Sequence, residues 1–159
     1  MPLMFELDIP GFGHIRLEHL VSDFTGTLSV DGQLLPGVKE KLNEIKKFLT
    51  IHILTADTFG RAGAALEGVE CEMHILEGKN HDVQKKNYLK QLGAEHVIAF
   101  GNGNNDREML KAARIGVAVC LNEGCAGDAI KAADILVTSI SDGLELLLNP
   151  KRLKATLRF

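Results

Sequence analysis

A succession of short apolar runs, each followed by a segment with helical spacing or by a tight turn, constrains this chain more than any other feature of it. The runs fall at residues 20–23, 51–54, 72–76, 97–100, 115–119 and 135–138. Runs this short, bounded by turn residues, read as buried strands. Between them lie segments with helical patterns near 38–49, 58–66, 80–92, from 106 onward, 126–133 and 143–148. Strand and helix in regular alternation predict a mostly parallel sheet covered on both faces, a Rossmann-like three-layer α/β sandwich. Ahead of it, residues 3–9 and 14–20 flank Pro10-Gly11-Phe12-Gly13, which predicts an N-terminal β-hairpin.

The strand at 20–23 ends on Asp23, and the chain then turns through Thr25, Gly26 and Thr27. In an open α/β sheet, reactive groups collect where strands end, because there the backbone leaves the ladder and its N–H groups become available to an anion. A carboxylate at that place is able to attack phosphorus. Asp-x-Thr-Gly is equally the pattern of a plain turn capped by its Asp. The second strand ends on Thr55, a hydroxyl of the kind common at caps and turns, with Asp57 the better cap for the helix that follows. Residues 101–106, Gly-Asn-Gly-Asn-Asn-Asp, form a glycine-rich exit from another strand, suited to close approach of backbone to an ion or phosphate. In the 80–92 helix, Val83, Tyr88, Leu89 and Leu92 are the inward candidates. Lys85 and Lys86 each read, taken alone, as solvated charges.

DFTGTLS at 23–29 resembles the first motif of the haloacid dehalogenase superfamily, and specifically the phosphorylation loop of P-type ATPases. Three further segments match in order: Ile-Leu-Thr-Ala-Asp at 53–57, the lysine-bearing helix, and Gly-Asn-Gly-Asn-Asn-Asp at 101–106. The resemblance implies Asp23 as nucleophile and Asp23, Thr25 (through its carbonyl), Asn102 and Asp106 as ligands of Mg²⁺. It implies phosphate binding by Gly26, Thr27, Thr55, Ala56, Asn105 and a helix lysine, Lys85 with Lys86 as the fallback. Catalytic roles fall to Asp23, Thr25 and Lys85. The activity implied is a Mg²⁺-dependent phosphohydrolase working through an aspartyl phosphate, on a phosphorylated small molecule or macromolecule. Two other readings stand beside it: a weakly catalytic regulatory module that binds phosphate or a partner, and a soluble ATP hydrolase like the P-type domain.

Two departures from the family pattern carry consequences. Most phosphatases of the superfamily place an acid–base Asp where this chain has Thr25, and such catalysis contributes about 10²–10⁴-fold, so turnover is expected to be slow. Asn102 stands where the family has a metal-binding Asp. Losing a unit charge about 4 Å from a cation is worth roughly 4 kcal/mol at an effective dielectric of 20, which predicts weaker Mg²⁺ binding. About thirty residues separate Asp23 from Thr55, and about thirty more lead to Lys85, intervals the fold itself fills. No cap domain is therefore expected, and a second copy of the chain is a candidate lid.

At 159 residues, one domain spanning 1–159 is expected, with a basic tail at 150–159 read as a frayed terminus. The formal net charge of -3 gives no support to a nucleic-acid partner. Cys71, Cys120 and Cys125 form no Cys-x-x-Cys pair and leave an odd number, which suits a reducing cytoplasm. No run approaches a membrane span, and the first residues lack a signal-peptide pattern.

Overall fold

An extended run followed by Pro10-Gly11-Phe12-Gly13 has one easy path, back along itself. β1 (Phe5–Ile9) and β2 (Gly13–Leu17) accordingly pair antiparallel, with Phe5 opposite Leu17. The structure, a computed structural model, describes residues 4–57 and 60–159. The second run, expected to continue to residue 20, breaks at Glu18, whose N–H donates to His96 O while its carbonyl accepts from Thr50 N. After that break the chain enters the main sheet.

That sheet is formed by β3 (His19–Asp23), β6 (Thr50–Thr55), β7 (Glu72–Ile75), β8 (Val97–Gly101), β9 (Ile115–Val119) and β10 (Ile135–Val137). Its strand order is β10-β9-β8-β3-β6-β7, and every pairing is parallel. The chain builds outward from β3 through β6 to β7, then crosses back to lay β8 on the other flank of β3. Such a reversal opens a crevice at the carboxyl ends of the strands. Asp23, Thr55 and Asn102 all leave the sheet there.

On one face lie α1 (Val38–Ile45), α2 (Arg61–Ala65), α6 (Ile140–Leu148) and α7 (Pro150–Leu157), which share a core with the hairpin. On the other lie α3 (His81–Leu92), α4 (Arg107–Ala112) and α5 (Gly127–Ala132) over Val21, Leu54 and Ala99. β8 and β9 are buried along their whole length, as strands covered on both faces must be. A short hairpin of β4 (Ser29–Val30) and β5 (Gln33–Leu34) follows the Asp23 loop, and no cap domain interrupts the described residues. None of the helices described is long and apolar enough to cross a membrane. All three cysteines are free thiols.

Several boundaries differ from expectation for local reasons. α1 stops at Ile45 rather than 49, and the amides of Lys46, Phe48 and Leu49 close turns onto Leu42 and Ile45. The helix expected from 58 is α2, and residues 58 and 59 lie outside the described residues. α6 begins at Ile140 instead of 143 because Ser139 caps it, its Oγ accepting from Asp142 N at 3.3 Å. The tail read as frayed is instead α7. Pro150 opens it, Leu153 and Leu157 are buried one turn apart, and Phe159 N donates to Pro10 O. The helix thus clamps the β1–β2 hairpin, which as an isolated pair of strands would be marginal.

One polar cluster sits inside the α3 face. His52 is buried, with Nε2 at 3.0 Å from His19 Nδ1 and Nδ1 at 2.8 Å from Tyr88 Oη. Burial, aided by His19, pushes the His52 pKa down to about 4 from 6.5. Between those values the unfolded chain binds the proton and the folded one does not. The stabilising contribution is therefore whole above pH 6.5 and is lost as pH falls toward 4, amounting to about 2 kcal/mol by pH 4.5. Asp23, whose carboxyl is raised rather than lowered, acts in the opposite sense. Urea denaturation at pH 7 and pH 4.5 is expected to show an acid-side loss smaller by about that amount in His52→Gln, and equal losses would exclude the assignment.

Candidate active site

Ser22 and Asp23 complete β3 in the middle of the sheet, so Asp23 is delivered to a rigid, buried place. Past it, the carbonyl of Phe24 accepts from the amides of Thr27, Leu28 and Ser29, which curls the loop into a tight knot. Gly26 holds φ +78 and packs against the Asn102 side chain, where a Cβ would overlap the amide nitrogen. Only glycine meets both demands. Gly26→Ala is expected to displace Asn102 and cost about 1–3 kcal/mol, checked by thermal melting together with divalent-cation titration.

Lys85 reaches this loop from α3. Its Nζ lies 3.1 Å from Asp23 Oδ1, 2.7 Å from Asp106 Oδ1 and 3.3 Å from Asn105 Oδ1, and the side chain is 1% exposed. A lysine buried that deeply requires such partners. Asp106, fully buried, spends its other oxygen on the amides of Asn102 and Gly103, each at 2.9 Å. Thr27 Oγ1 offers its hydrogen to Asp23 Oδ2 at 3.2 Å and Asn102 Oδ1 at 3.3 Å. Asn102 Nδ2 donates to Gly124 O, which fixes the amide with its oxygen toward Thr27 and the nucleophile.

Electrostatically the site is a pair of carboxylates sharing one cation. Burial, then the charge of Asp106, raise the Asp23 pKa to about 7, with Lys85 and Thr27 pulling against them. For Lys85, burial works downward, but the charges of Asp23 and Asp106 and its hydrogen bonds to both outweigh it and hold the pKa above the usual lysine value.

Of the residues singled out in the sequence, Asp23, Thr25, Thr55, Ala56, Lys85, Asn102 and Asn105 line one cavity of about 260 Å³, whereas Gly26, Thr27 and Asp106 are not part of its lining. Lys86 is not among them; its Nζ faces Glu108 at 3.6 Å. Val83, expected to point inward, is exposed. The donors expected to face a phosphate from Gly26 and Thr27 are engaged within the loop, Gly26 N on Ser29 O and the Thr27 hydroxyl on Asp23. Thr55 Oγ1 accepts from Asp57 N at 3.1 Å, and Asp57 Oδ2 accepts from Ala62 N at 2.7 Å, in the first turn of α2. Sequence reasoning passed over His81, which also lines the cavity. Its spacing of one helical turn before Lys85 was the available signal.

The oxygens at hand suit a hard cation. Asp23, the oriented Asn102 oxygen and the carbonyl of the exposed Thr25 match the donor preferences of Mg²⁺, which keeps several waters of its own. Asp106, expected as a further ligand, is fully buried, with one oxygen on Lys85 and the other on the amides of Asn102 and Gly103, so it holds the loop and Lys85 instead. The described residues hold no group of three or more His, Cys, Asp or Glu that could ligate a metal by themselves.

A family profile for haloacid dehalogenase-like hydrolases matches residues 30–142. An uncharacterized protein of Methanocaldococcus jannaschii is 45% identical over 80 residues, covering 48% of this chain and 86% of that one. A probable copper-transporting ATPase of Arabidopsis thaliana is 36% identical over 120 residues, 73% of this chain. The match spans only 12% of the ATPase's length. Among solved structures, the fold is similar to 3-deoxy-D-manno-octulosonate 8-phosphate phosphatase of Moraxella catarrhalis, crystallised with magnesium and phosphate ions, at TM-score 0.69 and 18% identity, covering 89% of this chain and 94% of that one. It is also similar to the catalytic domain of a CPx-ATPase, at TM-score 0.58 and 28% identity, covering 73% and 46%.

Proposed function

Because the chain belongs to the haloacid dehalogenase-like hydrolases, we propose that it is a Mg²⁺-dependent phosphatase that works through an aspartyl phosphate on Asp23. The observation that carries this reading is the buried bridge of Lys85 between Asp23 and Asp106 at the mouth of the central strand. A carboxylate held this way is oriented, partly neutralised and open to a cavity.

Asp23 attacks phosphorus with one oxygen while Thr27 holds the other. Lys85 offsets charge that gathers on the phosphoryl oxygens. The Thr55 hydroxyl, whose oxygen already accepts from Asp57 N, keeps its hydrogen for one of those oxygens. Asn105 and Ala56 border the same space. Water then displaces Asp23 and releases inorganic phosphate. Held by Asp23, Asn102 and the Thr25 carbonyl, Mg²⁺ would supply further neutralisation of the transferring group.

The substrate is a phosphorylated small molecule or the exposed phosphate of a macromolecule, since no cap in the described residues restricts entry. A second copy of this chain is the proposed lid. A narrower reading, a counterpart of the P-type ATPase phosphorylation domain, is favoured by Thr25 and by the 36% identity to the copper-transporting ATPase. Phosphate release from 4-nitrophenyl phosphate, dependent on Mg²⁺ and stopped by EDTA, is the expected result. Hydrolysis unaffected by EDTA would remove the metal from the proposal, and selective turnover of ATP would favour the narrower reading.

A further inference from the structure

With Thr25 in place of an acid, the reaction above lacks a proton donor for the departing oxygen, because a hydroxyl keeps its proton at neutral pH. The cavity itself holds a candidate. His81 opens α3 one turn before Lys85, and residues four apart share a helix face. Its half-buried side chain lines the same cavity as Asp23, Thr25 and Lys85. The chain arrives there through two left-handed residues, Gly78 and Asn80, and His81 Nε2 lies 3.0 Å from Gly78 O. A carbonyl oxygen only accepts, so Nε2 carries a hydrogen in that bond. Nδ1 is the nitrogen left to exchange a proton.

The neighbouring proton carriers have other work. Lys85 directs Nζ at Asp23, Asn105 and Asp106, and Asp23 is the nucleophile. Asp57 lies in an adjoining recess, where its Oδ2 takes the Ala62 N–H.

We propose that His81 is the general acid and base of this phosphatase, a role that rests on the reading of Asp23 given above. In the first step an Asp23 oxygen bonds to phosphorus as the bond from phosphorus to the substrate oxygen breaks, and the proton on Nδ1 of the imidazolium passes to that oxygen. In the second, a water oxygen bonds to phosphorus, the Asp23–phosphorus bond breaks, and the neutral Nδ1 takes the proton that the water gives up. The ring returns to its charged form, and no other reactant is needed.

The test compares kcat/KM, which reports formation of the phosphoenzyme, for 4-nitrophenyl phosphate, phenyl phosphate and a primary alkyl phosphate, all with Mg²⁺. A stable leaving group needs no proton, whereas an alkoxide does. His81→Gln keeps an N–H for Gly78 O and removes the imidazole, and His81→Asn serves as a second variant. Expected is a change within about threefold for the nitrophenyl ester, growing to about 10²-fold for the alkyl ester. Equal losses for all three esters, as a purely structural lock on α3 would give, overturn the proposal, as does no loss for any. Asp23→Asn is run in parallel. If it is inactive on all three while the His81 losses are equal, His81 alone is removed; if it stays active, the reading of Asp23 falls first.

Discussion

Asp23→Asn is expected to abolish phosphate release, by a factor on the order of 10³ or more, while leaving the protein at least as stable at pH 8. The first half follows from chemistry, since an uncharged amide oxygen is a poor nucleophile toward phosphorus. The second follows from the strain of the buried charge. In the folded protein the Asp23 carboxyl is raised from 3.8 to about 7, first by burial and then by Asp106. A carboxyl raised in this way costs stability as pH climbs through that interval, because the folded state holds its proton longer than the unfolded chain does. By pH 8 the cost is complete, and at pH 5 it is only partly developed. Asn carries no such cost, although it weakens one contact of Lys85. In EDTA, urea denaturation should therefore show Asp23→Asn gaining more at pH 8 than at pH 5, by about 2 kcal/mol. Phosphatase activity retained by the variant, or a stability change independent of pH, would contradict the assignment.

Lys85→Met should produce the largest loss of stability of any single change at the site, together with loss of activity. Methionine fills similar volume, so the effect isolates the charge. Removing the ammonium leaves Asp23 and Asp106 facing one another, both buried, without the group that reconciled them. Breaking a buried ion pair from one side costs about 3–5 kcal/mol, which for a domain of this size lowers Tm by roughly 10 °C. The loss should shrink at pH 5.5, where Asp23 takes up a proton, and should be partly recovered by millimolar Mg²⁺ binding to the folded state alone. Lys86→Met is the control. Its half-exposed pair with Glu108 predicts a change within about 0.5 kcal/mol. If both variants melt alike, the bridge does not carry the weight assigned to it here.

The contrast between these two adjacent lysines shows where sequence reasoning stopped. The pattern of α3 left Lys85 and Lys86 both open and placed Val83 inward, yet Lys85 is buried and Val83 is exposed. The inward face of this helix is set at its start by a polar site rather than by apolar residues. Periodicity of hydrophobic side chains therefore misreads its phase. The same holds for α7. Its Leu153 and Leu157 are too few among lysines and arginines to declare a helix, and they became buried only because the β1–β2 hairpin offered a surface to cover. His81 was passed over for another reason, since its spacing before Lys85 marks a shared helix face and only the folded cavity shows what that face lines. By contrast, Asp23, Thr55 and the 101–106 turn were legible because each closes an apolar run with residues whose turn chemistry is local.

The order of strands and helices, the carboxylate at the end of β3 and the glycine-rich turn after β8 were thus properties of the sequence alone, set by interactions between residues close along the chain. Which strands flank β3, which lysine reaches Asp23 and Asp106, and where the C-terminal helix docks were decided by the tertiary structure. Those outcomes depend on which distant groups together exclude water, and the free energy of burying a charge or a leucine does not exist until its partners from elsewhere in the chain have arrived.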